Sequence, residues 1–188
     1  MHQNGRKANV LDIGTGTGLL SMLAVKYGAD SVVACEAFLP MANCAVNIIK
    51  QNNCSDYIKL VRKHSTSLTV GEDGDLKQRA NILVSEVFDT ELIGEGAIKT
   101  FNHAREHLLE KDSIVIPFSG MIYAQVVESE VALKWNQLQD WKDENEVLVE
   151  IPEEIKNCPG AAAVHDIQLS QFPQKFFKAL SPVIPVFR

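Results

Sequence analysis

Apolar residues in this chain fall into short continuous runs closed by turn residues, and the runs alternate with stretches of helical spacing. Ala8 to Ile13 is such a run, ends in a glycine-rich turn, and predicts a buried strand. Leu19 to Tyr27 predicts a helix that stops at Gly28, a residue suited to the left-handed turn after a helix. Ser31 to Cys35 predicts a second strand closing on Glu36. Between Pro40 and Gln51, residues Met41, Cys44, Ala45, Ile48 and Ile49 recur at helical spacing, and proline suits a first turn. Tyr57 to Val61 and Asn81 to Val84 predict the third and fourth strands, the latter delivering Ser85 and Glu86. Ala97 to Leu109 predicts a helix, and Ser113 to Ile116 a fifth strand closed by Pro117. Strands alternating with helices predict an α/β fold, a doubly wound parallel sheet, over residues 1–117.

Beyond that point the pattern changes. Met121 to Val127 predicts a strand, Val131 to Trp141 a helix, and the rest loops carrying Pro152, Pro159, Pro173, Pro182 and Pro185. The expectation for residues 118–188 is the incomplete opening of a β-rich, barrel-type substrate domain. The chain closes on the apolar Val183 to Phe187 and its first strand starts at Ala8, so truncation at both ends is also expected. Trp135 and Trp141 are expected to be packing residues.

With 188 residues, 46% of them hydrophobic, the chain has the means to bury a real core. A net charge of −6 leaves no broad basic surface for phosphates, so nucleic acid is not an expected partner. The longest apolar stretch, Leu19 to Val25, is too short to cross a membrane, and the polar Met1 to Lys7 lacks the apolar core of a signal peptide. Cys35, Cys44, Cys54 and Cys158 show neither paired metal-ligand spacing nor a histidine cluster, so no metal site is expected. All four are expected to be reduced thiols, mostly in or near the core, of a protein of the cytoplasm or nucleus.

Ligands of doubly wound sheets bind at the carboxyl ends of the strands. The candidate residues all stand there: Asp12, Gly14, Gly16 and Gly18 after strand one, Glu36 after strand two, Ser65 and Thr66 after strand three, Glu86 after strand four. The three glycines permit a sharp turn and close approach of a ligand. A dinucleotide fingerprint requires glycine at position 19, where Leu19 stands. The spacing therefore suits a nucleoside with an amino-acid tail, such as S-adenosylmethionine, better than a pyrophosphate. A purely structural turn and an NAD-dependent oxidoreductase are the alternatives. Glu36 is placed to accept from two ribose hydroxyls. Asp12, inside an apolar run, needs a partner, and either the glycine loop or a ligand ammonium would supply one. His64 stands next to the third strand end, as an adenine contact or an ordinary loop residue.

After strand four, Glu86, Asp89, Glu91 and Glu95 fall within ten residues of a hairpin-like loop, with Gly94 and Gly96 flanking Glu95. Two carboxylates suit a planar, permanently charged guanidinium that offers paired donors. They would orient it and stabilise its charge during attack by one nitrogen. A metal site or an acidic surface loop is the competing reading.

The Val10 to Gly18 run, Glu36, and Glu86 to Gly96 with both glutamates together resemble the protein arginine methyltransferases from about Val10 to about Ser129, continuing weakly through Ala163 to Leu169. The loop wording and Cys35 to Ala42 are similar to the tandem-module branch that makes monomethylarginine only. The resemblance implies a class I methyltransferase (Rossmann-like) fold and S-adenosylmethionine as methyl donor, held by Asp12, Gly14, Gly16, Gly18, Glu36, Ser65 and Thr66. It implies Glu86 and Glu95 as the catalytic pair on the substrate guanidinium. It further implies histone-type or Arg-Gly-rich protein substrates and a dimer-like pairing with a second module. The family's cofactor-covering helices before strand one and its complete barrel have no counterpart in this sequence. A donor-binding fragment or interaction module without chemistry is therefore the alternative for this chain.

Overall fold

The computed structural model describes residues 5–135, 138–144, 146–156 and 171–187. The chain divides into two compact units, one running to Met121 and the other spanning Ile122–Phe187.

The first unit holds β1 (Asn9–Ile13), α1 (Leu19–Lys26), β2 (Ser31–Cys35), α2 (Leu39–Gln51), β3 (Ile58–Val61), β4 (Ala80–Ser85), α3 (Ala97–His103) and β5 (Leu109–Ile116). The strands form one parallel sheet in the order β3-β2-β1-β4-β5. A parallel sheet is buried on both faces, so its strands read as continuous apolar runs. Successive residues supply opposite faces. Leu11, Ile13, Cys35 and Leu83 enter one core with Phe101, Ala104 and Leu108, from α3 and the π-helical turn (Ala104–Leu108) that follows it. Val10, Val32, Ala34 and Ile58 enter the other with Met22 and Val25 of α1 and Ala45 and Ile49 of α2. Leu11, Leu83 and Leu108 are fully buried, each stabilising the fold by roughly 1.5–3 kcal/mol relative to exposure.

Local chemistry fixes the element ends. α1 starts after Gly18, in the left-handed region at φ 88°, and ends at Gly28, φ 94°. There the Ala29 N–H donates to the Ala24 carbonyl and closes the last turn. At the amino end of the sheet, the buried Asn81 side chain accepts from Asn9 N (3.0 Å) and donates to the Lys7 carbonyl (2.8 Å), tying β4 to the entry of β1.

Three expectations within this unit are corrected. The helix expected to reach Leu109 ends at His103 and passes through the π turn, and β5 begins at Leu109 rather than Ser113. β5 is an edge strand, and edges tolerate charges such as Glu110, Lys111 and Asp112, which hid its first half from a search for apolar runs. Cys35 is buried, but Cys44 is exposed on α2 and Cys54 is partly buried. Cys158 lies outside the described residues.

In the second unit, β6 (Ile122–Ala124), β7 (Val127–Glu128), β8 (Trp141–Lys142), β9 (Val147–Val149), β10 (Lys178–Ala179) and β11 (Ile184–Phe187) pair as β10-β7, β11-β6 and β8-β9. Two short helices, α4 (Glu130–Trp135) and α5 (Glu153–Lys156), complete it. The single strand expected from Met121 to Val127 is two strands. The helix expected to reach Trp141 stops at Trp135, and Trp141 starts β8 with 65% of its surface exposed, so it is not a packing residue within this chain. Segments expected to be loops carry strands. Among the described residues the strands form three separate antiparallel pairs, not a closed barrel, and no residue of this unit is buried. Ala163 to Leu169 lies outside the described residues.

Candidate active site

In the sheet register, Ile13 lies opposite both Cys35 and Ser85, and Cys35 lies opposite Val61. The four strands therefore end level. Gly14, Glu36, the turn at Ser65 and Glu86 leave the sheet along one edge.

The glycine loop is held from below and from the side. Gly14 N (3.0 Å) and Thr15 N (3.1 Å) both donate to the Cys35 carbonyl. Gly14 has φ 72°, and a Cβ there would sit 2.9 Å from Val87 Cγ1. Gly18, also left-handed, lies where a Cβ would meet Ile49 at 3.0 Å. Gly16, at φ 57°, faces open space. Gly14 and Gly18 are thus needed for packing, whereas Gly16 leaves room above the loop.

Asp12 is completely buried. Its Oδ2 accepts from Thr15 Oγ1 (2.7 Å) and Ser21 Oγ (2.6 Å), which clamps the glycine loop to α1. Its Oδ1 is buried with no partner among the described residues. Burial pushes the carboxyl above the usual carboxylate range, against the opposing pull of the Ser21 and Thr15 hydroxyls. Nothing in the sequence marked Thr15 and Ser21 except polarity within an otherwise apolar run.

Glu36 is engaged by backbone rather than loose in solvent. Its Oε2 accepts from Gly16 N at 3.0 Å and its Oε1 from Phe38 N at 2.9 Å, so one carboxylate joins the glycine loop to the entry of α2. Each oxygen keeps a lone pair for a further donor. Behind the loop, burial pushes the Cys35 thiol up to about 12, so it stays protonated and inert.

At the third strand end, Ser65–Ser67 forms a 3-10 turn. His64 caps it: its Nδ1 pairs with Thr66 Oγ1 at 2.8 Å and accepts from Thr66 N at 3.3 Å. Ser65 is buried and Thr66 partly exposed.

The acidic loop is two consecutive turns, not a hairpin. Leu92 N donates to the Asp89 carbonyl and Gly96 N to the Ile93 carbonyl. The Asp89 side chain organises it: Oδ1 accepts from Glu91 N and Gly94 N, both at 3.1 Å. Gly94 is required beside it, because a Cβ would fall 1.8 Å from Asp89 Oδ2. Gly96, at φ 80°, then opens α3. Asp89, one of the four acids of this loop, therefore has a structural part that its sequence context does not announce. Glu86 and Glu95 are both exposed, and neither carboxylate has a hydrogen-bond or ion-pair partner among the described residues. The two carboxylates, Glu86 directly after β4 and Glu95 in the second turn, are without internal partners among the described residues and are available to an external donor. Among the described residues, no group of three or more His, Cys, Asp or Glu is placed to hold a metal ion.

Residues 1–150 match the sequence model of the ribosomal protein L11 methyltransferase (PrmA) family. The whole chain is 53% identical to protein arginine N-methyltransferase 7 of Anopheles gambiae and 54% identical to that of Aedes aegypti. It spans 27% of the length of each of these relatives. Among solved structures, the Trypanosoma brucei PRMT1 enzyme-prozyme heterotetrameric complex with AdoHcy superposes with a TM-score of 0.62 at 27% identity, over 71% of this chain and 42% of that one. Arabidopsis thaliana protein arginine methyltransferase 10, at 24% identity and TM-score 0.61 over 69% of this chain and 35% of that one, shares the fold. The two sequence comparisons point to different named members. The L11 model spans residues 1–150, whereas the likeness to protein arginine N-methyltransferase 7 spans the whole of this chain at over half identity. The chain belongs to the family that this model describes, the ribosomal protein L11 methyltransferase (PrmA) family.

Proposed function

We propose that this chain binds S-adenosylmethionine at the glycine edge of the sheet and presents the guanidinium of a protein arginine to Glu86 and Glu95 for N-methylation. One observation carries the reading: two exposed, unpartnered glutamates bound an Asp89-braced loop, and the first of them leaves β4 at the same end of the sheet as the glycine loop and Glu36. The residues present fit the donor. The space above Gly16 has room for it, and the lone pairs left on Glu36 suit ribose hydroxyls. The orphaned Oδ1 of Asp12 suits an ammonium group, through the loop or a bridging water. Ser65 and Thr66 stand at the next strand end as further contacts. When bound, the donor supplies an electrophilic methyl group on a sulfonium.

The chain's own residues do the rest. Glu86 and Glu95 accept the guanidinium's paired N–H donors and fix its plane. Their charge draws positive character away from the attacking nitrogen and stabilises the transition state. Asp89 shapes the stretch between the two glutamates by accepting from Glu91 N and Gly94 N.

The substrate class inferred is histone-type or Arg-Gly-rich protein, with a single methyl added per arginine. Pairing with a second, similar module in the longer protein is part of the same reading, supported by relatives nearly four times this length. The test is Glu86→Gln and Glu95→Gln in a protein of the relatives' full length. Each is expected to lower arginine methylation by at least 100-fold while donor binding by calorimetry stays within about threefold. Full methylation by both variants sinks the assignment. Monomethylarginine is the expected product by mass spectrometry, and dimethylarginine overturns that part.

A further inference from the structure

A cavity of about 360 Å³ opens between the acidic loop, α3 and the segment after β5. Its volume falls within the range of small-molecule sites. The walls are mostly apolar, with Phe88 and Leu92 from the loop, Ile98 and Phe101 from α3 and Phe118 beyond β5, and Asn102 and Ser119 add polar surface. Phe88 stacks on Phe101 with ring centroids 5.6 Å apart and planes 24° from parallel. Arg105, an exposed residue on the cavity's lining, is the one charged side chain among the described lining residues, and it has no ion-pair or hydrogen-bond partner among them. In a chain of net charge −6, an unpaired guanidinium on a largely apolar lining sets the polarity of what enters.

The cavity wall is also the acidic loop. Leu92 is held at φ 68°, a left-handed conformation that a non-glycine residue adopts only under constraint. Its side chain rests on Gly120, where a Cβ would come within 2.8 Å of Leu92 Cδ1. The stretch lining this cavity, Phe88 to Ile93, lies between Glu86 and Glu95 in the chain.

We infer that this cavity is a binding site for a small aromatic carboxylate, with the ring between Phe101 and Phe118 and the carboxylate on Arg105, and that its occupancy braces the loop carrying Glu86 and Glu95. The ligand is a regulator: it does not compete for the glycine edge of the sheet. The site goes beyond the methyltransferase reading, and its test involves no methyl donor, so the two fail independently.

The test is a heteronuclear NMR titration of the 188-residue chain with 3-phenylpropionate, with the uncharged 3-phenylpropionamide as control. Expected are saturable shifts at the amides of Phe88, Leu92, Phe101 and Phe118, and binding of the acid at least tenfold tighter than the amide. Arg105→Gln is expected to bring the acid to the affinity of the amide. Ile98→Glu, at an exposed helix position that tolerates charge, is expected to abolish acid binding with the fold intact. Equal affinities for acid and amide, shifts confined to other residues, or indifference to Arg105→Gln overturns the site. Amide exchange at Leu92 and Gly94 is expected to slow on saturation; unchanged exchange in the bound form overturns the bracing.

Discussion

Asp12 concentrates the tension of the site in one side chain. It is fully buried, has one oxygen satisfied by two hydroxyls and the other by none, and has its carboxyl pushed above the usual range by burial. A group whose folded-state pKa is raised favours the fold below its unfolded value and loses that contribution as pH rises through the folded one. Ionised Asp12 therefore costs stability at neutral pH. Asp12→Asn keeps an acceptor for Thr15 and Ser21, and is expected to raise the melting temperature at pH 7 by more than at pH 4. Donor affinity should fall in the same variant. A melting-temperature difference that does not grow between pH 4 and pH 7 contradicts the account. The glycines separate in a similar way. Gly14→Ala and Gly16→Ala both put a Cβ on left-handed backbone, at about 1–2 kcal/mol each, and Gly14→Ala also drives it against Val87. Gly16→Ala meets nothing. Thermal melts are expected to show a larger loss for Gly14→Ala, and calorimetry a loss of donor affinity for Gly16→Ala out of proportion to its stability.

At the scale of elements, the acidic loop owes its shape to Asp89. Asp89→Ala removes the Oδ1 that accepts from two backbone N–H groups, each hydrogen bond worth about 1 kcal/mol net. Hydrogen exchange at Glu91 and Gly94 should accelerate while the global melt moves little. In a full-length protein the Michaelis constant for the arginine substrate should rise while donor affinity holds. What was legible beforehand follows from burial. β1, β2 and β4 are interior strands buried on both faces, so their sequences are nearly continuous apolar runs; edge strand β3 carries the exposed Lys59 between buried Ile58 and Val61, and Gly14, Glu36 and Glu86 leave the strands at the carboxyl end of the sheet as their positions after the apolar runs imply. β5 lies at the sheet edge with Glu-Lys-Asp in its first half, and it joins α3 through a π turn that no periodicity announces. Thr15, Ser21 and Asp89 were missed because a hydroxyl or carboxylate that organises backbone looks, in sequence, like one that meets solvent or ligand.

At the scale of the molecule, the two units differ in what each has buried. The first contains both apolar cores, while residues 122–187 show three two-stranded sheets and no buried residue among those described. Isolated two-stranded sheets are marginal in water. Residues 1–121 alone are expected to retain a cooperative thermal transition, and residues 122–187 alone to show none by circular dichroism. A cooperative transition in the second piece would mean that it has a core of its own. The short strands of that unit were illegible for the same reason: pairs without a buried face carry no apolar alternation.

The division of the chain has an optical consequence. Both tryptophans, Trp135 and Trp141, lie beyond Met121, and Trp141 is largely open to water. Light absorbed near the red edge of the protein band therefore excites only residues 122–187, and the sheet that carries Gly14, Glu36 and Glu86 is dark at that wavelength. A ligand that binds the first unit and quenches this emission would report that the two units communicate. One that binds by calorimetry yet leaves the emission unchanged would report that they do not.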